Sequence, residues 1–242
     1  MILIDETTVP ESERQDLANV NAELESVAAG RLQQIDPREE PYSSSKIAWK
    51  IALFSNSMAH RFITLAEGAA ASWNASNPLS AILNARASME TFASYYEFSK
   101  QLSNLVPVDD FEAIDNLTTK YLFGTRDEEL LKELPDLRAR QILNSIDMVD
   151  KHVISGFRDH YNTLSEFCHP NSFGHRGLFS SRDRQTGITT FEIKGDFIIP
   201  LKAALGMAAL FKRAMDAIDA DLRNLARAHH AAHPSPLRST EQ

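Results

Sequence analysis

Ser45-Lys-Ile-Ala-Trp-Lys-Ile-Ala-Leu-Phe-Ser-Asn-Ser-Met-Ala-His-Arg-Phe-Ile-Thr-Leu-Ala-Glu-Gly-Ala-Ala-Ala-Ser-Trp73 is the stretch whose reading decides the fold. It has no proline, is rich in alanine and is apolar nearly all round, the pattern of a central helix packed on most sides. Hydroxyls in Pro41-Tyr-Ser-Ser-Ser45 offer an N-cap, and Asn77-Pro78 ends the run.

The flanking chain supplies neighbours for it. Upstream, Leu17, Val20, Leu24, Val27, Leu32 and Ile35 form one stripe from Glu11 to Ile35, opposite charged residues, and Asp36-Pro37 closes it. Downstream, Leu79 to Leu105 opens with proline and carries Ile82, Leu83, Met89, Phe92, Tyr96 and Leu102, a second core helix. Shorter helices are predicted over Asp109 to Phe123, in an acidic turn from Asp127 to Leu134, and over Asp136 to Val153, with a break at Gly156 before a helix through Tyr161. Leu178-Phe-Ser-Ser-Arg182 and Ile188-Thr-Thr-Phe-Glu-Ile193 then flank a turn-forming Asp183-Arg-Gln-Thr-Gly187, which reads as a β-hairpin. The last helix starts at Asp196 or Ile199 and runs to Ala228. The predicted fold is therefore all-α, a multi-helix bundle with one small β-hairpin insertion near residues 177–194. Residues 1–40 form an amphipathic helix packing on the body, 41–228 the bundle, and 229–242 a disordered tail.

Composition narrows the function classes. The 242 residues are 43% hydrophobic with nine glycines and ten prolines, enough for a well-packed core. A net charge of −8 argues against a surface that coats nucleic acid, while leaving room for a local positive site. Cys168 is the single cysteine, which excludes an intramolecular disulfide and fits a reducing, cytoplasmic setting. No basic leader or uncharged run of bilayer length occurs, so no membrane partner is expected. Walker, Gly-x-Gly-x-x-Gly, His-Glu-x-x-His, Gly-x-Ser-x-Gly and Cys-x-x-Cys motifs are missing, and no cofactor is expected.

Unusual chemistry gathers in Tyr161-Asn-Thr-Leu-Ser-Glu-Phe-Cys-His-Pro-Asn-Ser-Phe-Gly174. Tyr161, Leu164, Ser165, Cys168 and His169 share a helix face that Pro170 terminates. An imidazolium at such a C-terminus is favoured by the helix dipole by roughly 0.3–1 kcal/mol. His169 is thus a candidate general acid/base, or else a cap for the last carbonyls. Glu166-x-x-His169 also spells half of a di-iron pair, but the second Glu-x-x-His is missing and no metal is expected. Arg86 and Glu90, spaced i, i+4 among Ile82, Met89 and Ala93, are either a boundary ion pair or an anion-holding pair that orients His169. Asn171-Ser-Phe-Gly-His-Arg176-Gly177 adds a second histidine and, in Arg176, a cation on a polar loop.

The combination Arg86-x-x-x-Glu90, Tyr161-x-x-Leu-Ser-x-x-x-His169-Pro, a hairpin and a final helix resembles a bacterial group of all-helical proteins with a Leu-Ser-x-x-x-His-Pro signature, over about Ile47 to Leu225. The bundle outline also resembles HEPN domains, many of them metal-independent ribonucleases of toxin and antiphage systems that use an Arg-(polar)-x(3–5)-His motif. This chain matches that pattern at Arg223-Asn-Leu-Ala-Arg-Ala-His229, while neither His169 nor His175 follows an arginine at that spacing. The resemblance implies RNA as target, a homodimer, and a ribonuclease-like phosphodiesterase of toxin or defence type. His169, Arg86, Glu90 and Arg176 would then be the catalytic set. The other reading is a non-catalytic helical module that binds a partner protein or regulates one.

Overall fold

The computed structural model describes residues 1–193 and 198–232. Among them are nine α-helices and one two-stranded antiparallel hairpin, the all-α bundle with a small β insertion that the periodicity predicts. The helices are α1 (Glu11–Ala29), α2 (Lys46–Asn74), α3 (Pro78–Leu105), α4 (Phe111–Phe123), α5 (Glu128–Glu133), α6 (Ile142–His152), α7 (Phe157–Cys168), α8 (Ile198–Leu205) and α9 (Ala208–Ala232). Strands β1 (Ser180–Arg182) and β2 (Thr189–Phe191) pair with Ser180 opposite Phe191 and Arg182 opposite Thr189. No described helix is long and apolar enough to cross a membrane.

Three boundaries differ from the sequence reading, the first two because a backbone group finds a competing partner. Helix α1 stops at Ala29, not Ile35: Gly30 caps it, and the Asn56 side chain takes both backbone groups of Leu32, at 2.9 Å and 2.8 Å. The helix expected from Asp136 starts only at Ile142, after Pro135–Leu137 forms one 3-10 turn. Thr125 there accepts from the Ala139 N–H and donates to the Leu137 carbonyl, both at 2.8 Å. The last helix is two: it breaks after Leu205, and α9 then continues past Ala228 to Ala232. The expected start at Asp196 and the tail from residue 233 lie outside the described residues.

The chain groups into two compact units. The first holds Met1–Arg31, Met58–Tyr96 and Gln141–Lys212. Its centre is an aromatic column in which Phe211 stacks between Tyr95 (4.3 Å, 7°) and Phe62 (4.4 Å, 17°), all fully buried. Phe92 of α3 meets Phe157 of α7 edge-on at 5.9 Å, which seats the start of α7. At Gly68 of α2 a Cβ would come within 2.9 Å of the Asn84 amide oxygen, so glycine permits close approach to α3. Lys202 of α8 pairs with Glu13 and, at 3.0 Å, with Asp16, fastening α1 to the body.

The second unit holds Leu32–Ser57, Glu97–Arg140 and the chain from Arg213. Phe54, Phe98 and Tyr121 pack mutually at 4.5–5.6 Å, and Lys50 bonds Asp115 (2.7 Å) and Thr119 (2.9 Å). Arg140 pairs with the buried Glu97 carboxylate beside Tyr121. Burial raises the Tyr121 phenol well above its ordinary pKa, and the Glu97 charge pushes it the same way while Arg140 opposes it.

Phe211→Ala removes the middle ring of a closed aromatic column. It is expected to lower unfolding free energy by about 3–5 kcal/mol, read from urea denaturation.

Candidate functional site

Arg86 and Glu90 sit one turn apart on α3, on the face that α7 covers. Their side chains are 28% and 25% exposed, so this is a half-buried pair and not a surface one. The guanidinium reaches Glu90 Oε1 at 3.1 Å, donates from Nε to Ser165 Oγ at 2.9 Å and from Nη2 to the Tyr161 hydroxyl at 2.8 Å. That hydroxyl in turn donates to Glu90 Oε1 at 2.8 Å, and the guanidinium lies 5.1 Å from the Tyr161 ring centre. The i, i+4 spacing of Tyr161 and Ser165 on α7 places both on Arg86. Two helices are thus joined by a closed set of four side chains.

The electrostatics follow from burial and from the pairing. Burial depresses the Arg86 guanidinium, but the Tyr161 hydrogen bond and the Glu90 charge outweigh it and leave its pKa above the ordinary value. Burial raises the Tyr161 phenol, Glu90 adds to the rise, and Arg86 takes part of it back. Cys168, one turn along α7 from Leu164, is half-buried, and its thiol is likewise raised by burial, with Arg86 opposing. A protonated, half-buried thiol is a poor nucleophile. Among the described residues no three His, Cys, Asp or Glu side chains gather in a way that could hold a metal ion.

His169 occupies the position after α7, with extended backbone, as Pro170 requires. Its backbone N–H bonds the Ser165 carbonyl at 3.3 Å, but its imidazole is exposed and has no hydrogen-bond or ion-pair partner among the described residues. The side chain therefore does not cap α7, and it is not bonded to Arg86 or Glu90. The loop beyond Pro170 is more ordered than its composition predicts: Ser172–Gly177 forms a single π-helical turn. Asn171 Oδ1 accepts the N–H groups of Phe173 (3.0 Å) and Gly174 (2.9 Å), and its amide nitrogen donates to Glu166 at 2.8 Å. Gly174 lies so close to the His169 carbonyl that no Cβ fits there. Such π turns are rare and concentrate at functional sites.

Arg176 leaves this turn exposed and unbonded to the Arg86 group. It lines instead a depression of about 560 Å³ together with Phe173, Arg182, Arg184, Ser172, Ser180 and Ser181. None of the three guanidiniums has a carboxylate within ion-pair distance among the described residues, whereas Arg38, Arg86, Arg138, Arg140 and Arg158 each do. The hydrogen bonds of the acidic neighbours go to other groups. Asp183 accepts the N–H groups of Gln185 and Thr186, both at 2.7 Å, which hold its carboxyl below the usual carboxylate range, and Glu192 takes the Ser181 hydroxyl at 2.8 Å.

The four residues named from sequence thus fall in three places: Arg86 and Glu90 in the inter-helix group, His169 at the end of α7, and Arg176 on the exposed turn that follows. Sequence reasoning missed Phe173, Arg182 and Arg184 as site residues; the available signal was two arginines within three residues where β1 enters the hairpin turn, in an acidic chain. The Arg223–His229 segment lies within α9, and Arg223 and Arg227 border a separate depression with Glu40 and Ser44. No protein-family model, no curated protein and no solved structure matches this chain.

Tyr161→Phe removes the hydroxyl that links Arg86 to Glu90. It is expected to cost about 1–2 kcal/mol by denaturant titration. The folded phenol holds its proton above the ordinary tyrosine value, so its contribution to stability is complete below about pH 10 and is lost as pH rises through the folded value. A spectrophotometric titration at alkaline pH should therefore lose one late-ionising phenol in the Tyr161→Phe protein.

Proposed function

We propose that this chain is a helical recognition module for a phosphate-bearing anion, bound at the hairpin end of α7. The observation that carries the reading is the set of three guanidiniums, Arg176, Arg182 and Arg184, on one concave surface without carboxylate partners among the described residues. Guanidiniums recognise phosphate oxygens through paired N–H donors, and none of these three has its donors taken by a carboxylate among the described residues. In this reading Arg86 and Glu90 are positioning residues. Their hydrogen-bonding groups are turned to Tyr161 and Ser165, and they set the direction in which α7 delivers the turn.

The test is binding of inorganic triphosphate by calorimetry. The wild-type protein should bind it, and the Arg182→Glu, Arg184→Glu double variant should lose at least about tenfold in affinity with an unchanged unfolding midpoint. Arg86→Lys should lower the unfolding midpoint, because lysine cannot reproduce the fork to Tyr161 and Ser165. Equal binding by wild type and the double variant, or none by either, overturns the reading.

A ribonuclease reading keeps one geometric support: His169, exposed and unpartnered among the described residues, precedes the same turn that carries Arg176. His169 would shuttle the proton and Arg176 would neutralise charge on the attacked phosphate. That reading expects induced wild-type protein to degrade total RNA and arrest growth while soluble His169→Ala protein does neither. Intact RNA with both proteins removes it.

A further inference from the structure

We infer that the ligand of this surface is a nucleoside polyphosphate, its phosphates held by Arg176, Arg182 and Arg184 and its base stacked on Phe173. The inference rests on the anion-binding reading above and adds a ligand class to it. Phe173 is 58% exposed, and its backbone is fixed. The Asn171 side chain holds its N–H at 3.0 Å, Gly174 is packed against the His169 carbonyl, and the Phe167 ring meets the Phe173 ring edge-on at 6.1 Å and 83°. An aromatic face held in place and open on one side loses little conformational freedom when a flat base covers it.

The same depression carries complementary groups for the rest of such a ligand. The three guanidiniums offer forked donors for phosphate oxygens, and Ser172 is an exposed hydroxyl beside Phe173 that suits a ribose or a phosphate. At about 560 Å³ the depression has the size of a small-molecule site, which commonly spans about 300–1,000 Å³. The charge distribution favours a compact ligand over a strand. The protein carries −8 overall, so a long polyanion meets repulsion outside the site. A polyphosphate concentrates its charge within one screening length, about 8 Å at physiological ionic strength, and there it meets the three arginines first. Asp183 and Glu192, the acids of the hairpin, are bonded to Gln185 and Thr186 N–H groups and to Ser181.

Calorimetry on the full chain decides the matter with three probes: ATP, inorganic triphosphate and a single-stranded RNA pentamer without terminal phosphate. The expected result is that ATP binds more tightly than triphosphate, and that Phe173→Ala weakens ATP by at least about fivefold while leaving triphosphate unchanged. Circular dichroism of the variant checks that the helices are intact; the side chain is exposed, so the fold should be. If ATP and triphosphate bind equally and Phe173→Ala alters neither, the nucleotide inference fails and the anion reading survives. If the pentamer binds more tightly than ATP, the ligand is a strand and the inference is overturned. If no probe binds, both readings fall together.

Discussion

A guanidinium that is less than one-third exposed needs a counter-charge and hydrogen-bond acceptors, and meeting that need at Arg86 joins α3 to α7 in the first unit. Glu90 supplies the charge from the same helix; α7 supplies the rest through Tyr161 and Ser165. Because the hydroxyl of Tyr161 both accepts from Arg86 and donates to Glu90, neither member of the ion pair can shift without breaking a second bond. Removing one partner of such a group leaves the other half-buried and unpaired, which is why its energetic weight is larger than that of the surface pairs elsewhere on the chain. The consequence is directional: α7 is held on α3 at one rotation, and its end points the same way with it.

The path of the chain beyond α7 depends on that direction. Pro170 forbids another α turn, Asn171 satisfies the next backbone donors, and Gly174 folds back on the His169 carbonyl, so the chain closes into a π turn instead of wandering as a loop. A two-stranded hairpin of three residues per strand is marginal alone. Here the Ser180 hydroxyl donates to the Arg176 carbonyl at 3.0 Å, and Leu178 is fully buried, so the turn and the first strand are one piece. The hairpin therefore presents Arg182 and Arg184 beside Arg176 because the turn beneath it is rigid.

Two sets of arginines in this protein differ in their company. Arg86 and Arg140 each pair with a shielded carboxylate next to a tyrosine whose phenol is pushed up in pKa, and both groups tie helices together. Arg176, Arg182 and Arg184 have neither carboxylate nor burial among the described residues. The first kind contributes cohesion; the second leaves a positive field on a protein of net charge −8, and a local field of opposite sign to the whole is the usual footprint of recognition.

The helical class, the long apolar helices, the hairpin and the end of α7 at His169 were legible because periodicity, proline and turn residues act within a few positions of themselves. The i, i+4 spacings of Arg86 with Glu90 and of Tyr161 with Ser165 were legible too, as faces. Helix ends at Ala29 and Ile142 were not, since distant groups, the Asn56 amide and the Thr125 backbone, take hydrogen bonds there that no local pattern announces. By itself the sequence determined which residues share a helix face and where a proline must stop a helix. Only the tertiary structure decided that Tyr161 and Ser165 meet Arg86, that His169 stands apart from them, and that three arginines from a turn and a hairpin line one surface. The physical reason is that pairing, burial and field at a charge depend on groups brought close in space, and those lie up to 189 positions away along the chain.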